Sequence, residues 1–292
     1  YYRIQLNLGR VLEALGDSAA IDLYLDLAEA TYEFNLPAEA FETQAALARI
    51  YTTRSDARSA GIAIEKALIL LGQYPEVVQP LPFMDFAIAH YAGNGNLKKA
   101  RSLLDDRLRI EAHDAILLRP YRSFALHVPE LVQYRLQLAQ LRETIREESS
   151  KRLQRQDPGA AQKKIEALRK SLSQLRQRLT EKIPLALDLF RTPVAGPVGA
   201  RQARLQTFLY GDRLTVWLDG KKESALSGPW QTIFARLPQM IREQDAQELL
   251  LIAEDRSFTL PFHELFGPSD LSVTYLPDRS AAAPQGFPES LP

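Results

Sequence analysis

The chain has 292 residues, 46% of them hydrophobic and 25% charged, and its 36 basic side chains balance its 36 acidic ones. That length suits roughly two domains, and a net charge of zero removes any global electrostatic case for a nucleic-acid or membrane-surface partner. Cysteine is absent, which excludes disulfides, thiolate metal sites and a thiol nucleophile within this chain. No apolar run approaches the roughly 18 residues that span a bilayer. No secretory signal is legible either, so a cytoplasmic protein is expected. His90, His113, His127 and His263 are scattered without helical ligand spacing, so no metal site is expected.

From Leu6 to about Leu126 the pattern is helical and it repeats. Leu8, Gly9 and Leu12 recur as Leu47, Ala48 and Tyr51, then as Ala87, Ile88 and Tyr91. Ala60, Ile64 and Ala67 recur as Ala100, Leu104 and Arg107. Leu12 and Tyr51 stand 39 positions apart, Tyr51 and Tyr91 stand 40 apart, and Gly16-Asp17, Ser55-Asp56 and Gly93-Asn94-Gly95-Asn96 punctuate the intervals. Such a period predicts stacked helical hairpins, each too small to bury its own apolar face. Ala48, Ala60, Ala67 and Ala100 belong where two helices approach closely. This stretch resembles the tetratricopeptide repeat family, with a longer period than the family's usual one and with Arg107 where a small residue is expected. The resemblance implies a groove for a peptide or a partner protein; a scaffold that only packs against its own chain fits the same pattern.

Leu131, Tyr134, Leu138, Leu141 and Ile145 are spaced 3, 4, 3, 4; Ile165, Leu168, Leu172, Leu175, Leu179 and Ile183 follow the same rhythm. Between them Asp157-Pro158-Gly159 breaks the helix. Two antiparallel helices, about 129–156 and 160–182, are predicted. They are rich in Arg and Lys, from Arg142 to Arg178. The basic residues fall on several faces without interleaved aromatics, which suits a solvated surface better than a nucleic-acid groove. Interdomain spacing and self-association are the expected roles of this hairpin.

Arg191 to Gly199 is a Pro/Gly linker. The run Leu205 to Leu218 carries two β-rich segments around Gly211-Asp212 and predicts a hairpin. Asp219-Gly220 marks another turn. Trp230 to Arg242 has helical spacing, with Pro238 predicting a kink or an early end. Leu249 to Ala253 reads as a strand buried on both faces, and Leu271 to Leu276 alternates as a second strand. In open α/β sheets chemistry sits just past the carboxyl ends of such strands.

The order LQTFLYGDRLTVWL, a helix, LLIAED, LPFHEL and VTYLPD resembles the front of a CHAT domain, the caspase-like, separase-related domain found with tetratricopeptide repeats. Phe208, Gly211-Asp212-Arg213-Leu214, Ile252, Asp255, Leu260-Pro261-Phe262, Leu265, Tyr275 and Pro277 carry the resemblance. Glu254, Arg256 and His263 depart from it. The resemblance implies a cysteine peptidase with a His–Cys dyad. The family's His-Gly motif and any Cys are missing from this sequence, so no catalytic residue carries over. Either the catalytic half follows this chain or the chain is a degenerate relative.

His263 beside Glu264 is a conceivable His/acid pair, yet no Ser is placed as a nucleophile elbow. The resemblance gives this segment a packing role, with Phe262 and Leu265 pinning a short helix against the sheet. Glu254 and Asp255 lie at a strand's carboxyl end without an identifiable partner. No catalytic, cofactor-binding or metal residue is therefore assigned. The expected fold is multidomain, α then α/β: a tetratricopeptide-like array over 1–126, a helical hairpin over 127–190, and the first part of a caspase-like α/β domain over 200–292. The expected partner is a protein or peptide bound by the repeats, with no cofactor, nucleic acid or membrane.

Overall fold

Apolar and small residues every three or four positions drive the first two thirds of the chain into helices. Alternation and β-rich runs drive the remainder into strands. The computed structural model describes residues 1–76, 80–117, 129–182, 198–199, 201–253, 260, 262 and 271–276. Among them the helices, in chain order, are α1 (Tyr2–Ala14), α2 (Ala19–Glu33), α3 (Pro37–Thr53), α4 (Ala57–Gln73), α5 (Leu81–Gly93), α6 (Leu97–Leu117), α7 (Pro129–Leu153), α8 (Gly159–Lys182) and α9 (Trp230–Arg242). The strands are β1 (Gln202–Tyr210), β2 (Arg213–Asp219), β3 (Ser224–Pro229), β4 (Glu248–Ala253) and β5 (Ser272–Leu276). A helical region thus precedes a small mixed sheet. Contacts divide the chain into two units, Tyr1–Phe83 with Pro120–Pro184, and Met84–Arg119 with Leu185–Pro292.

One turn geometry recurs in the helical region. Gly16, Ser55 and Gly95 all adopt the left-handed conformation, at φ 71°, 60° and 79°. After each, an amide donates five residues back: Asp17 to Leu12 O at 2.9 Å, Asp56 to Tyr51 O at 2.9 Å, and Asn96 to Tyr91 O at 2.8 Å. This arrangement satisfies carbonyls that a helix end leaves orphaned. The same Asp or Asn then turns to the next helix. Asp56 Oδ1 accepts from Ser59 N, and Asn96 Oδ1 from Lys99 N.

In the first unit the small residues sit where they were expected, with Ala48, Ala60 and Ala67 fully buried. At the same level between α1 and α2, a large ring faces a glycine: a Cβ on Gly9 would lie 2.5 Å from Tyr24 Cε1. The predicted hairpin is present as α7 and α8, packed on each other. Leu131, Tyr134, Leu138, Leu141 and Ile145 of α7 are buried, as are Leu172, Leu175 and Leu179 of α8. Its turn uses Arg155 at φ 55°.

The second unit pairs α5 and α6 with the sheet. The strand order is β3-β2-β1-β4-β5. β1 is antiparallel to β2 and parallel to β4, and β4 is parallel to β5. Gly211, at φ 60°, turns the predicted β1–β2 hairpin. One sheet face presents Ala203, Leu205, Leu214, Val216, Leu218, Leu249 and Leu251 to Ile233, Leu237 and Ile241 of α9, with Leu260 and Phe262 in the same core. Pro238 does not end α9, which runs on to Arg242, because Leu237 and Ile241 on either side are anchored in that core. Strand β4 differs from expectation: Leu249 and Leu251 are fully buried, whereas Leu250 and Ile252 on its other face are half-buried.

Overpacking a filled core costs about 1–3 kcal/mol, so Gly9→Ala is expected to lower stability by that amount in chemical denaturation. The Tyr24 phenol supplies a pH test. Burial, reinforced by the adjacent Glu13 carboxylate, pushes it up to about 12. The folded state keeps this proton where an unfolded tyrosine releases it near about 10. Its contribution is therefore intact below that pH and is lost as pH climbs towards 12. Tyr24→Phe is expected to make the alkaline decline of stability shallower than in the wild type.

Candidate functional site

The second face of the sheet is polar. On it stand Arg204 and Gln206 of β1, and Trp217 and Asp219 of β2. Helix α6 meets them with a matching set one turn apart. Arg101 Nη1 donates to Asp219 Oδ1 at 2.6 Å, and a second bond joins Arg101 Nη2 to Oδ2. Arg204 donates to Asp219 Oδ2 from Nε at 3.1 Å and from Nη2 at 2.5 Å. Gln206 Nε2 donates to Asp105 Oδ1 at 3.3 Å, and the Trp217 indole to Leu97 O at 3.0 Å. Burial alone would raise the Asp219 carboxyl; the bonds from Arg101 and Arg204 overcome it and hold the group below the usual carboxylate range. Asp105 goes the other way: burial raises it, and its bond from Gln206 does not compensate.

Arg107, at a position where the repeat pattern expects a small residue, is buried. It bonds Asp85 of α5 and, at 2.6 Å, Glu111 of α6. A buried guanidinium is tolerated because two carboxylates receive it. His90 lies on the same helix as Asp85, with Asn94 Nδ2 at 3.3 Å from its Nε2. Burial lowers its pKa.

The first unit holds a cleft of about 640 Å3, lined by residues of α2, α3, α4, α7 and α8 and of the turns that follow α2 and α4. That volume falls within the range of ligand pockets. Its floor is the buried Glu148, which accepts from Asn35 Nδ2 at 3.2 Å, Arg152 Nε at 2.5 Å and Gln162 Nε2 at 3.4 Å. Its walls include Tyr74, whose hydroxyl donates to Asn35 Oδ1 at 3.1 Å. Arg169 lies over the Tyr74 ring and bonds Glu76 at 3.2 Å. Tyr32 also lines the cleft and is largely exposed to solvent. The cleft therefore offers carboxylate, guanidinium, amide and phenol groups around a shallow apolar base of Leu36, Pro37 and Ala40.

Several residues weighed in the sequence fall elsewhere. Glu254, Asp255, His263 and Leu265 lie outside the described residues, as does His127. His113 lies on α6. Phe262 is buried and packs on Phe234 at 5.5 Å between ring centres, the packing role expected of it. The basic hairpin is partly neutralised within the unit, with Lys151 on Glu147 at 2.9 Å and Arg146 on Glu143 at 3.3 Å. Among the described residues no cluster of His, Asp or Glu has metal-binding geometry, and no helix is long and apolar enough to cross a membrane. Thr207, beside the carboxyl end of β4, has a buried hydroxyl without a partner among the described residues. Sequence reading missed the Asp219 cluster and Glu148. The only hints were charged residues inside otherwise apolar periodicity.

Comparison with protein-family models, with curated proteins and with solved structures gave no match.

Removing one partner of a buried charge cluster costs about 3–5 kcal/mol. Asp219→Ala leaves Arg101 and Arg204 facing each other and is expected to lose that much, measured by denaturant unfolding. Because the folded carboxyl titrates below its unfolded value of about 3.9, its contribution is present above that pH and is lost only as pH falls through the depressed folded value. The gap between wild type and Asp219→Ala is thus expected to persist to pH 4 and to close below it.

Proposed function

We propose that this chain is the partner-binding portion of a CHAT-type, caspase-like protein. A tetratricopeptide-like array and a helical hairpin bind a protein or peptide in the cytoplasm, and they are joined to the first part of the α/β domain. The observation that carries this reading is the shared unit of α5, α6 and the sheet. The pair α5–α6 continues the recurrent turn geometry of the helices before it, yet α6 is locked to β1 and β2 through Arg101, Asp219 and Arg204. Helices of the repeating kind thus share a unit with the sheet and are bonded to it through α6. The hairpin around Gly211, the parallel β1–β4–β5 set, and Leu260 with Phe262 in the core also support the reading. The chain contains no Cys, so it supplies no thiol chemistry of its own.

The cleft over Glu148 is the proposed peptide site. Glu33 and Glu166 on its lining favour a ligand that carries a basic or amide side chain, and Tyr32 offers a face for its aliphatic stem. A second reading, an interaction scaffold with a degenerate α/β module, is favoured by one observation. The polar side chains on the sheet's second face are bonded to one another, as Asp219 is to two arginines, and not presented for chemistry.

Two measurements test the proposal. Incubation with a casein-type unfolded protein is expected to give no cleavage; thiol-sensitive cleavage by this chain contradicts it. On an array of extended peptides, basic sequences are expected to bind. Tyr32→Ala should weaken them about tenfold, as loss of an aromatic contact of about 1.4 kcal/mol does, without changing the melting temperature. Absence of any binding peptide, or binding indifferent to Tyr32→Ala, removes the cleft from the proposal.

A further inference from the structure

Helix α2 contains no Lys or Arg. Its exposed side carries Asp22, Asp26, Glu29 and Glu33, at spacings of 4, 3 and 4. Such spacings stack side chains on one helix face, so the four carboxylates form a row. Like charges placed in this way repel one another. None of the four is paired with a cation among the described residues, whereas other acids of the same unit are: Glu42 meets Arg10 at 2.8 Å and Glu13 meets Arg49 at 3.1 Å. Leu25 and Tyr32 each follow an acid of the row by three positions and flank it, at 47% and 85% exposed. The face is an acidic track with an apolar border. Charge alone does not define a site; the track is set apart by where it ends. Tyr32 and Glu33 line the cleft of about 640 Å3, and Glu29, Asp26 and Asp22 lead away from it along the same helix.

We propose that the ligand of the cleft is an extended segment with basic residues at alternate positions, which passes Tyr32 and Glu33 and runs along α2 to Asp22. The inference rests on the reading of the cleft as a peptide site and adds the ligand's sequence pattern and its path. Successive acids of the row stand about 4.5–6 Å apart along the helix axis. Alternate side chains of an extended chain recur at roughly 6.6–6.8 Å, a comparable step that long basic side chains can adjust to. The track is about 16.5 Å long from Asp22 to Glu33, which about five extended residues cover, so three cations in five suffice. Their ammonium or guanidinium groups relieve the repulsion within the row. Their aliphatic stems lie on Leu25, and the Tyr32 ring takes a cation over its face where the track meets the cleft.

Fluorescence anisotropy of a labelled peptide of alternating Lys and Ala, titrated with the full chain at low salt, is expected to show saturable binding. Binding should weaken as salt is raised, because exposed charges are screened within about 10 Å at 0.1 M. Asp26→Lys combined with Glu29→Lys should weaken it about tenfold at low salt without lowering the melting temperature, since neither acid loses a partner. Glu181→Lys combined with Glu243→Lys makes the same change in net charge at exposed acids elsewhere and should bind as the wild type does. No binding at low salt overturns the proposal, and so does equal weakening by the two double variants. If Tyr32→Ala weakens binding and the α2 double variant does not, the track is overturned while the cleft reading stands. If the α2 double variant weakens binding and Tyr32→Ala does not, the track does not lead to the cleft and the proposal fails with that reading. Sedimentation closes the remaining route: self-association of the peptide-free wild type that the α2 double variant abolishes assigns the face to a second copy and overturns the proposal.

Discussion

A carboxylate held between two guanidiniums fixes how the second unit is assembled. Asp219 ends β2, Arg204 lies opposite it on β1, and Arg101 reaches Asp219 from α6. Taking such charges out of water costs several kcal/mol for each ion, so the cluster adds less net stability than its short contacts suggest. It contributes register. Helix α9 lies on the apolar face through side chains that tolerate sliding, whereas α6 fits only where Arg101 meets Asp219 and, one turn later, Asp105 meets Gln206. A slip of one residue would leave charges buried without partners. The Arg107–Asp85 pair repeats the device between α6 and α5, so registration passes from β2 through α6 to α5.

This constraint shapes the functional reading. The helices that resemble a repeat array do not all keep to one unit. Two of them fall in one unit with the sheet, and the others in one unit with the α7–α8 hairpin. The hairpin was expected to serve as a spacer or in self-association. In the first unit it lines one wall of a cleft, with Glu148 buried and bonded to Asn35, Arg152 and Gln162. The cleft and the charge cluster both bury polar groups, and both arise where elements far apart in sequence meet.

Much of the fold was legible in the sequence because periodicity is local. The stripes at Leu131–Ile145 and Leu172–Leu179 identify α7 and α8, and Gly211-Asp212 identifies the β1–β2 turn. Strand β3, Ser224 to Pro229, was not legible. It has small residues, a Gly and a Pro, and its strand state comes from pairing with β2 at the sheet edge, where Pro is tolerated. Of the two outcomes expected of Pro238, the early end is absent, because burial of its neighbours outweighs one missing amide. The polar sites were illegible for a different reason. Nothing in one sequence connects Arg101 to Asp219, 118 positions away, or Asn35 to Glu148, 113 away. Arg107 in place of a small residue was the single visible trace, and its explanation, Asp85, lies on another helix.

The separation of Arg101 from Asp219 has a consequence in time. During synthesis at about 5–20 residues per second, the 118 positions between them take roughly 6–24 s to appear. Throughout that interval α6 exists without the sheet it is built to meet. The bond it can make in the meantime is to α5, through Arg107 and Asp85, and the bonds that set its place on β1 and β2 wait for the sheet.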